Sequence, residues 1–147
     1  MHEWSIGKAI VDAVTNFAKG KNARRVLRVD ILVSEIAQLD LDVLREAYKI
    51  LTQGTLAEGS KLNIEIEKAE FTCNNCGYKW TLKEIGDIFS DLAKKYGIVD
   101  EEGTIDLPTH YMPMAIHALI ACPQCKSMNF SLNITRSVEI KAIEIER

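Results

Sequence analysis

Long apolar runs and an excess of basic charge are both missing from this sequence. No segment approaches the roughly 18 consecutive apolar residues that a membrane helix needs. The first residues also lack the basic and apolar regions of a signal peptide. Eighteen basic and 21 acidic residues give a net charge of −3, so there is no general attraction to phosphate backbones or anionic lipids. We therefore predict a cytoplasmic protein that binds neither membranes nor nucleic acid.

The motifs of the common enzyme classes are missing as well. The sequence has no glycine-rich loop that would cradle a phosphate, and no Ser/His/Asp or Cys/His grouping for nucleophilic catalysis. Its 147 residues, 47% hydrophobic and 27% charged, are typical of a globular chain with one domain or two small ones. The composition therefore favours a folded protein that is not an enzyme.

Only four cysteines are present, and they form two CxxC pairs. Cys73 and Cys76 stand in CNNC, and Cys122 and Cys125 stand in CPQC. In a reducing cytoplasm such pairs more often share a metal than form disulfides. Two pairs supply the tetrahedron of sulfur atoms that Zn(II) accepts at about 2.3 Å per bond. Because four thiolates leave no position for water or substrate, the predicted zinc is structural.

Two alternatives remain for the cysteine-containing region. A thioredoxin-like redox site needs one CxxC pair at a helix N-terminus, whereas both pairs here adjoin strand-like segments. A zinc ribbon that binds nucleic acid or another protein would use Lys79, Trp80 and Lys126, close to the cysteines. The acidic total and the neighbouring Glu84 and Asp87 disfavour nucleic acid.

The periodicity of the apolar residues predicts an α+β fold. Helical spacing begins at Ile6 and ends at Gly20, and Asp40 is placed to cap a second helix that ends near Gly54. Apolar residues alternate with polar ones in three further segments, which predicts strands at 27–33, 62–66 and 138–142. Two helices on a three-stranded sheet make a small α+β domain.

Both cysteine pairs fall between the second and third predicted strands. Residues 1–70 plus 132–147 are therefore predicted to form one domain, and 71–131 an inserted zinc-binding domain. The connection 77–121 between the pairs exceeds the roughly 15–20 residues of a compact zinc ribbon, so the insertion needs structure of its own.

Within the insertion, Thr81 and Glu84 have the spacing of a capping box, which predicts a helix that ends at Gly97. The acidic residues 100–102 with Gly103 predict an exposed turn.

The sequence begins MHEWS, which places His2 directly behind the amine of Met1. Amines and imidazoles ordinarily have pKa values of about 8 and 6.5, so both lose protons readily near neutral pH. The Met1 amine, the His2 backbone nitrogen and His2 Nδ1 would close two adjoining chelate rings, which the Glu3 backbone nitrogen extends. Planar sets of nitrogen donors suit Ni(II) and Cu(II). The alternative is an inert histidine at a frayed terminus.

Together, the terminal MHE, the helix behind it and the four cysteines resemble the HypA family of nickel metallochaperones, which mature nickel-iron hydrogenases. The resemblance covers the whole chain. It implies that Ni(II) is a transient cargo held by Met1, His2 and Glu3, and that a HypB-type GTPase and the hydrogenase large-subunit precursor are partners. It also implies four zinc ligands, namely Cys73, Cys76, Cys122 and Cys125.

The long connection between the cysteine pairs resembles archaeal members of this family. It contains His110, which lies between two prolines in PTHYMP and is predicted as a further nickel ligand, with a solvated loop histidine as the alternative. His117 stands among apolar residues, which favours a packed side chain over a ligand. A monomer, a homodimer and exchange of domains between protomers all remain open.

Overall fold

The computed structural model describes residues 2–86, 88–99, 105–106 and 113–147. Within these ranges the chain is a mixture of helices and short antiparallel strands, which confirms the predicted α+β class. The helices are α1 (His2–Gly20), α2 (Leu41–Leu51) and α3 (Ile88–Tyr96), with 3-10 helices at Glu35–Ala37 and Pro113–Ala118. The strands are β1 (Arg25–Ser34), β2 (Lys61–Glu67), β3 (Glu70–Cys73), β4 (Lys79–Thr81), β5 (Ile98–Val99), β6 (Ile105–Asp106), β7 (Phe130–Leu132) and β8 (Val138–Glu146).

The chain divides into two compact units. The first unit contains the described residues up to Val33, together with Leu39–Glu65 and the C-terminal residues from Val138. The second unit contains Ser34–Gln38 and the described residues between Ile66 and Ser137. The division at 70 and 132 predicted from the sequence concerns folding domains and stays a prediction.

In the first unit, β1 is the central strand of a sheet ordered β2-β1-β8, and α1 and α2 pack together. The predicted start of α1 at Ile6 is wrong, because the helix already begins at His2. Glu3 then lies in the first turn, where a carboxylate is favoured by the helix dipole. A Cβ atom at Gly7 would lie only 3.3 Å from that of Ala47, so this glycine lets the two helices approach closely.

Asp40 caps α2 as predicted. Its carboxylate accepts the backbone N–H groups of Asp42 and Val43, at 3.1 and 3.2 Å. Leu44 and Tyr48 carry the apolar face of α2 into the core of the first unit. Since each capping bond satisfies a donor that the helix leaves unpaired, the start of α2 is fixed in position.

Strand β8 contains an irregularity that the sequence pattern did not reveal. Asp30 of β1 pairs with Ala142, whereas the next residue, Ile31, pairs with Ile140. The register shift turns Ala142 to the face of Asp30, so the predicted alternation through Ala142 is wrong. Beyond Ala142, the apolar face of β8 is continued by Ile143 and Ile145, which pack against the core.

The second unit is built on a sheet ordered β4-β3-β7. Phe71 and Trp80 stack with their ring centroids 5.2 Å apart, and Phe130 packs edge-on against both. His117 stacks on Phe130 at 4.4 Å, so it is a packed side chain. Ile36 is fully buried in the same core, which explains why the short segment after β1 belongs to this unit.

The capping box predicted at Thr81 and Glu84 is wrong. Thr81 ends β4 and pairs with Glu70 in the sheet. The Glu84 carboxylate accepts the hydroxyl of Tyr78 at 2.9 Å instead of capping a helix. A helix does follow, but it is α3, which starts at Ile88 in the described chain.

The predicted end of that helix is confirmed, because α3 ends at Tyr96 and the N–H of Gly97 donates to the carbonyl of Ala93. The acidic turn predicted at 100–103 lies outside the described residues. Within the ranges that are described, no helix is both long enough and apolar enough to cross a membrane.

Candidate metal centres

The first cysteine pair lies on a tight loop between β3 and β4. The N–H of Cys73 donates to the carbonyl of Tyr78, and the N–H of Gly77 donates to the carbonyl of Cys73. Gly77 has a φ of +79°, a left-handed conformation that glycine adopts at low cost. We call this loop, residues 73–78, the first knuckle.

The second cysteine pair repeats the same backbone pattern just before β7. The N–H of Cys122 donates to the carbonyl of Ser127, and the N–H of Lys126 donates to the carbonyl of Cys122. We call residues 122–127 the second knuckle. Lys126 takes the place of Gly77 and has a φ of +65°, although it carries a side chain. Its ammonium group donates to the carbonyl of Pro123 at 3.2 Å.

The two knuckles bring the four cysteine sulfur atoms within 4.8 Å of one another. All four are free cysteines. The Sγ atoms are 3.5 Å apart for Cys73 and Cys125, and 3.7 Å apart for Cys76 and Cys122. A tetrahedral zinc site with bonds of about 2.3 Å has sulfur atoms roughly 3.8 Å apart. The cluster therefore has the donor set and the dimensions of a structural zinc site.

N–H groups point at the sulfur atoms, as a cluster of thiolates requires. Cys73 Sγ accepts the backbone N–H groups of Asn75 and Cys76, each at 3.4 Å. The side-chain amide of Asn75 crosses to the other knuckle, with Nδ2 3.6 Å from Cys125 Sγ. These contacts stabilise negative charge on sulfur.

The pKa values of two thiols differ sharply. The backbone N–H of Ser127, helped by the Asn75 amide, lowers the pKa of Cys125 to about 6. The backbone N–H of Tyr78 also lowers the pKa of Cys76, but burial and the contacts with the other three sulfur atoms outweigh it and raise that pKa to about 12. The thiol of Cys76 therefore resists ionisation when it lies against the other three sulfur atoms. A divalent cation stabilises all four thiolates together, which is the electrostatic reason that the cluster suits zinc.

The residues predicted to hold nickel lie in the first unit, where His2 and Glu3 are described. Both are buried, with His2 only 1% exposed, so His2 does not lie in a frayed segment, and its role as a nickel ligand stays a prediction. His2 Nε2 lies 3.2 Å from Glu3 Oε1. The same carboxylate oxygen accepts the backbone N–H of Asp40 at 3.2 Å. Met1 and His110 lie outside the described residues.

Sequence reasoning missed two contributions to these sites. It gave Glu3 only a backbone nitrogen, whereas the structure shows its carboxylate between His2 and the start of α2. It gave Asn75 no role, although a polar residue between the two cysteines of a CxxC pair is well placed to bond a cysteine sulfur. Trp80, in turn, is 2% exposed, so it is not available to stack on a nucleic-acid base.

A family profile described as "Hydrogenase/urease nickel incorporation, metallochaperone, hypA" matches residues 1–145. Hydrogenase maturation factor HypA of Pyrococcus abyssi is 35% identical over 147 residues, which is 100% of this chain and 97% of that protein. The Pyrococcus horikoshii protein of the same name is 36% identical with the same coverage.

A solved structure has the same fold. The solution structure of the nickel metallochaperone HypA from Helicobacter pylori aligns with a TM-score of 0.54 and 16% identity, over 98% of this chain and 97% of that chain.

Chelation of zinc is expected to unfold the second unit and to leave the first folded. Structural zinc contributes an apparent 10–16 kcal/mol, as an order of magnitude, in zinc-finger peptides. Fluorescence of Trp80 in a Trp4→Phe variant reports on the second unit, and the amide NMR signals of α1 report on the first. Buried Trp80 emission that persists after complete zinc removal would contradict a structural role for the metal.

The left-handed residues of the two knuckles give a matched pair of variants. Gly77→Ala is expected to destabilise the zinc-loaded protein by about 1 kcal/mol, and Lys126→Gly to stabilise it by roughly 0.5–1 kcal/mol. Lys126→Ala is the control, because it removes the contact with Pro123 but keeps the backbone strain. Denaturant unfolding measures all three. A Lys126→Gly protein no more stable than Lys126→Ala would contradict the expected net gain from relief of the left-handed strain.

Proposed function

Because the chain belongs to the HypA family of nickel-incorporation metallochaperones, we propose that it binds Ni(II) at Met1 and His2 and delivers it to the hydrogenase large-subunit precursor. The family is one of metallochaperones and not of enzymes. Nickel is thus the cargo. The observation that carries the proposal is the buried contact between His2 and Glu3, which gives the histidine behind the terminal amine a fixed orientation.

Glu3 selects the nitrogen of His2 that nickel uses. The Glu3 carboxylate oxygen lies 3.2 Å from Nε2, and a carboxylate at that position favours a proton on Nε2, which leaves the lone pair on Nδ1. Nδ1 is the atom that closes a six-membered ring with the His2 backbone nitrogen. The N–H of Asp40 holds the carboxylate in turn, so the cap of α2 supports the ligand geometry in the same way that outer groups orient other metal-bound histidines.

The start of α1 at His2 leaves backbone nitrogens available. The first four N–H groups of a helix have no acceptor within the helix. Coordination by the nitrogens of His2 and Glu3 therefore breaks no helical hydrogen bond of α1. Since the His2 side chain is buried, capture requires movement of the first turn, and the cost of that movement weakens binding. Weak, exchangeable binding suits a cargo that has to be released.

Zn(II) holds the two knuckles together through the four cysteines, and His110 is an additional nickel ligand. The partners are a HypB-type GTPase and the large-subunit precursor, both in the cytoplasm, and the protein acts as a monomer or a homodimer. The inserted 71–131 segment folds as a zinc-dependent domain.

Nickel titration of zinc-loaded protein with a native, untagged N-terminus tests the site. A planar d–d band is expected, and both His2→Ala and acetylation of the Met1 amine are expected to abolish it. His110→Ala changes the spectrum without removing the band. Binding that weakens as the pH falls follows from proton competition for the amine and imidazole. If acetylation of the Met1 amine left the band unchanged, nickel would lie elsewhere.

Delivery is tested by mixing nickel-loaded protein with the large-subunit precursor in the presence of a chelator that captures free nickel. Transfer to the precursor is expected, and the HypB-type GTPase is expected to accelerate it. A preparation of His2→Ala exposed to the same nickel is the matched control. Equal nickel incorporation from the wild-type protein and from this control would refute delivery from the terminal site.

A further inference from the structure

The two knuckles have the same backbone structure but different surroundings, and the difference is due to one side chain. Asn75 stands second among the residues between the cysteines of CNNC, and Gln124 stands at the matching position of CPQC. Asn75 reaches Cys125 of the opposite knuckle. Among the described residues, no hydrogen bond links Gln124 to Cys76, the sulfur related to Cys125 by the pseudo-symmetry.

The four sulfur atoms consequently differ in protection. Cys125 accepts the Asn75 amide and is half-buried. Among the described residues, no side-chain amide bonds Cys76, and it is exposed. The two remaining cysteines, Cys73 and Cys122, are buried.

We propose that Cys76 is a modification site for soft electrophiles within the zinc cluster, and that Asn75 is the positioning residue that protects Cys125 from the same reaction. Hydrogen bonds draw electron density from a thiolate and reduce its nucleophilicity, and burial limits access. Both factors therefore favour reaction at Cys76. The inference depends on the proposed zinc site, because the metal is what keeps all four sulfurs ionised.

The chemistry is an alkylation. The Cys76 thiolate attacks the methylene carbon of a probe such as iodoacetamide, a carbon–sulfur bond forms, and the carbon–iodine bond breaks with loss of iodide. No oxidant and no proton is required. The neutral thioether that results is a weaker zinc ligand, so release of zinc is expected to accompany modification.

The experiment treats the zinc-loaded full-length protein with less than one equivalent of iodoacetamide at constant pH. Tandem mass spectrometry locates the adduct, and a chromogenic chelator measures the released zinc. Adducts on Cys76 are expected to exceed those on Cys125 by about fivefold or more, the factor that one hydrogen bond supplies. An even distribution, or a first adduct on Cys125, would overturn the inference.

Two asparagine variants separate protection of sulfur from general loosening of the knuckles. Asn75→Ala is expected to raise alkylation of Cys125 about fivefold. Asn74→Ala is the matched control, since the Asn74 amide bonds the side chain of Asn129, beyond the second knuckle, and not a sulfur atom. It should leave the ratio of Cys76 to Cys125 adducts unchanged. Equal ratios in the two variants would refute the role of Asn75.

Zinc content distinguishes this inference from the proposed function. Wild-type protein purified with one equivalent of zinc and alkylated evenly at all four sulfurs would keep the zinc site and refute the asymmetry. Protein that binds no zinc at all would refute the site itself. The wild-type adduct map needs no variant, so it decides the inference even if Asn75→Ala fails to fold.

Discussion

Four sulfur atoms within 4.8 Å of one another impose the strongest constraint on the second unit. They come from two loops far apart in the sequence. Desolvation and the contacts with the other three sulfur atoms outweigh the lowering effect of the Tyr78 N–H and raise the pKa of Cys76, so ionisation of all four thiols is opposed. Without a cation the thiolates repel one another or take up protons. The two knuckles then no longer hold the end of the β4-β3-β7 sheet together. With a divalent cation the same charges attract, so the free energy of metal binding becomes free energy of folding.

In the first unit, packing and hydrogen bonds hold the first turn of α1 in a defined place. Here Glu3 is buried and accepts the N–H of Asp40, whose own carboxylate caps α2. Gly7 then brings α1 against α2 at Ala47. The result is that His2, at the start of α1, is buried and held in place by packing and by the hydrogen bond of its neighbour Glu3.

The sequence predicted the parts of the fold that rest on local patterns. The Asp40 cap, the three strands of the first unit and the grouping of the four cysteines follow from periodicity, cap preference and ligand spacing. The capping box at Thr81 failed because a local signal competed with strand pairing to Glu70, a contact that no short window contains. The register shift in β8, the burial of Ile36 in the second unit and the Asn75 contact also arise from pairs of residues distant in sequence.

The two proposed metal sites differ in the property that separates a resident ion from a cargo. In this proposal, thiolates fixed by backbone N–H groups and enclosed by four-fold coordination hold a metal whose loss would unfold the unit around it. Nitrogen donors at the start of a helix would release a metal more readily, because release requires only a rearrangement of the first turn and protonation of the nitrogens. Sites with sulfur donors bind nickel as well as zinc, so in the proposed arrangement a fully occupied zinc site would protect the nickel from capture by sulfur. A protein that transports nickel therefore benefits from cysteines that are already closed around another metal.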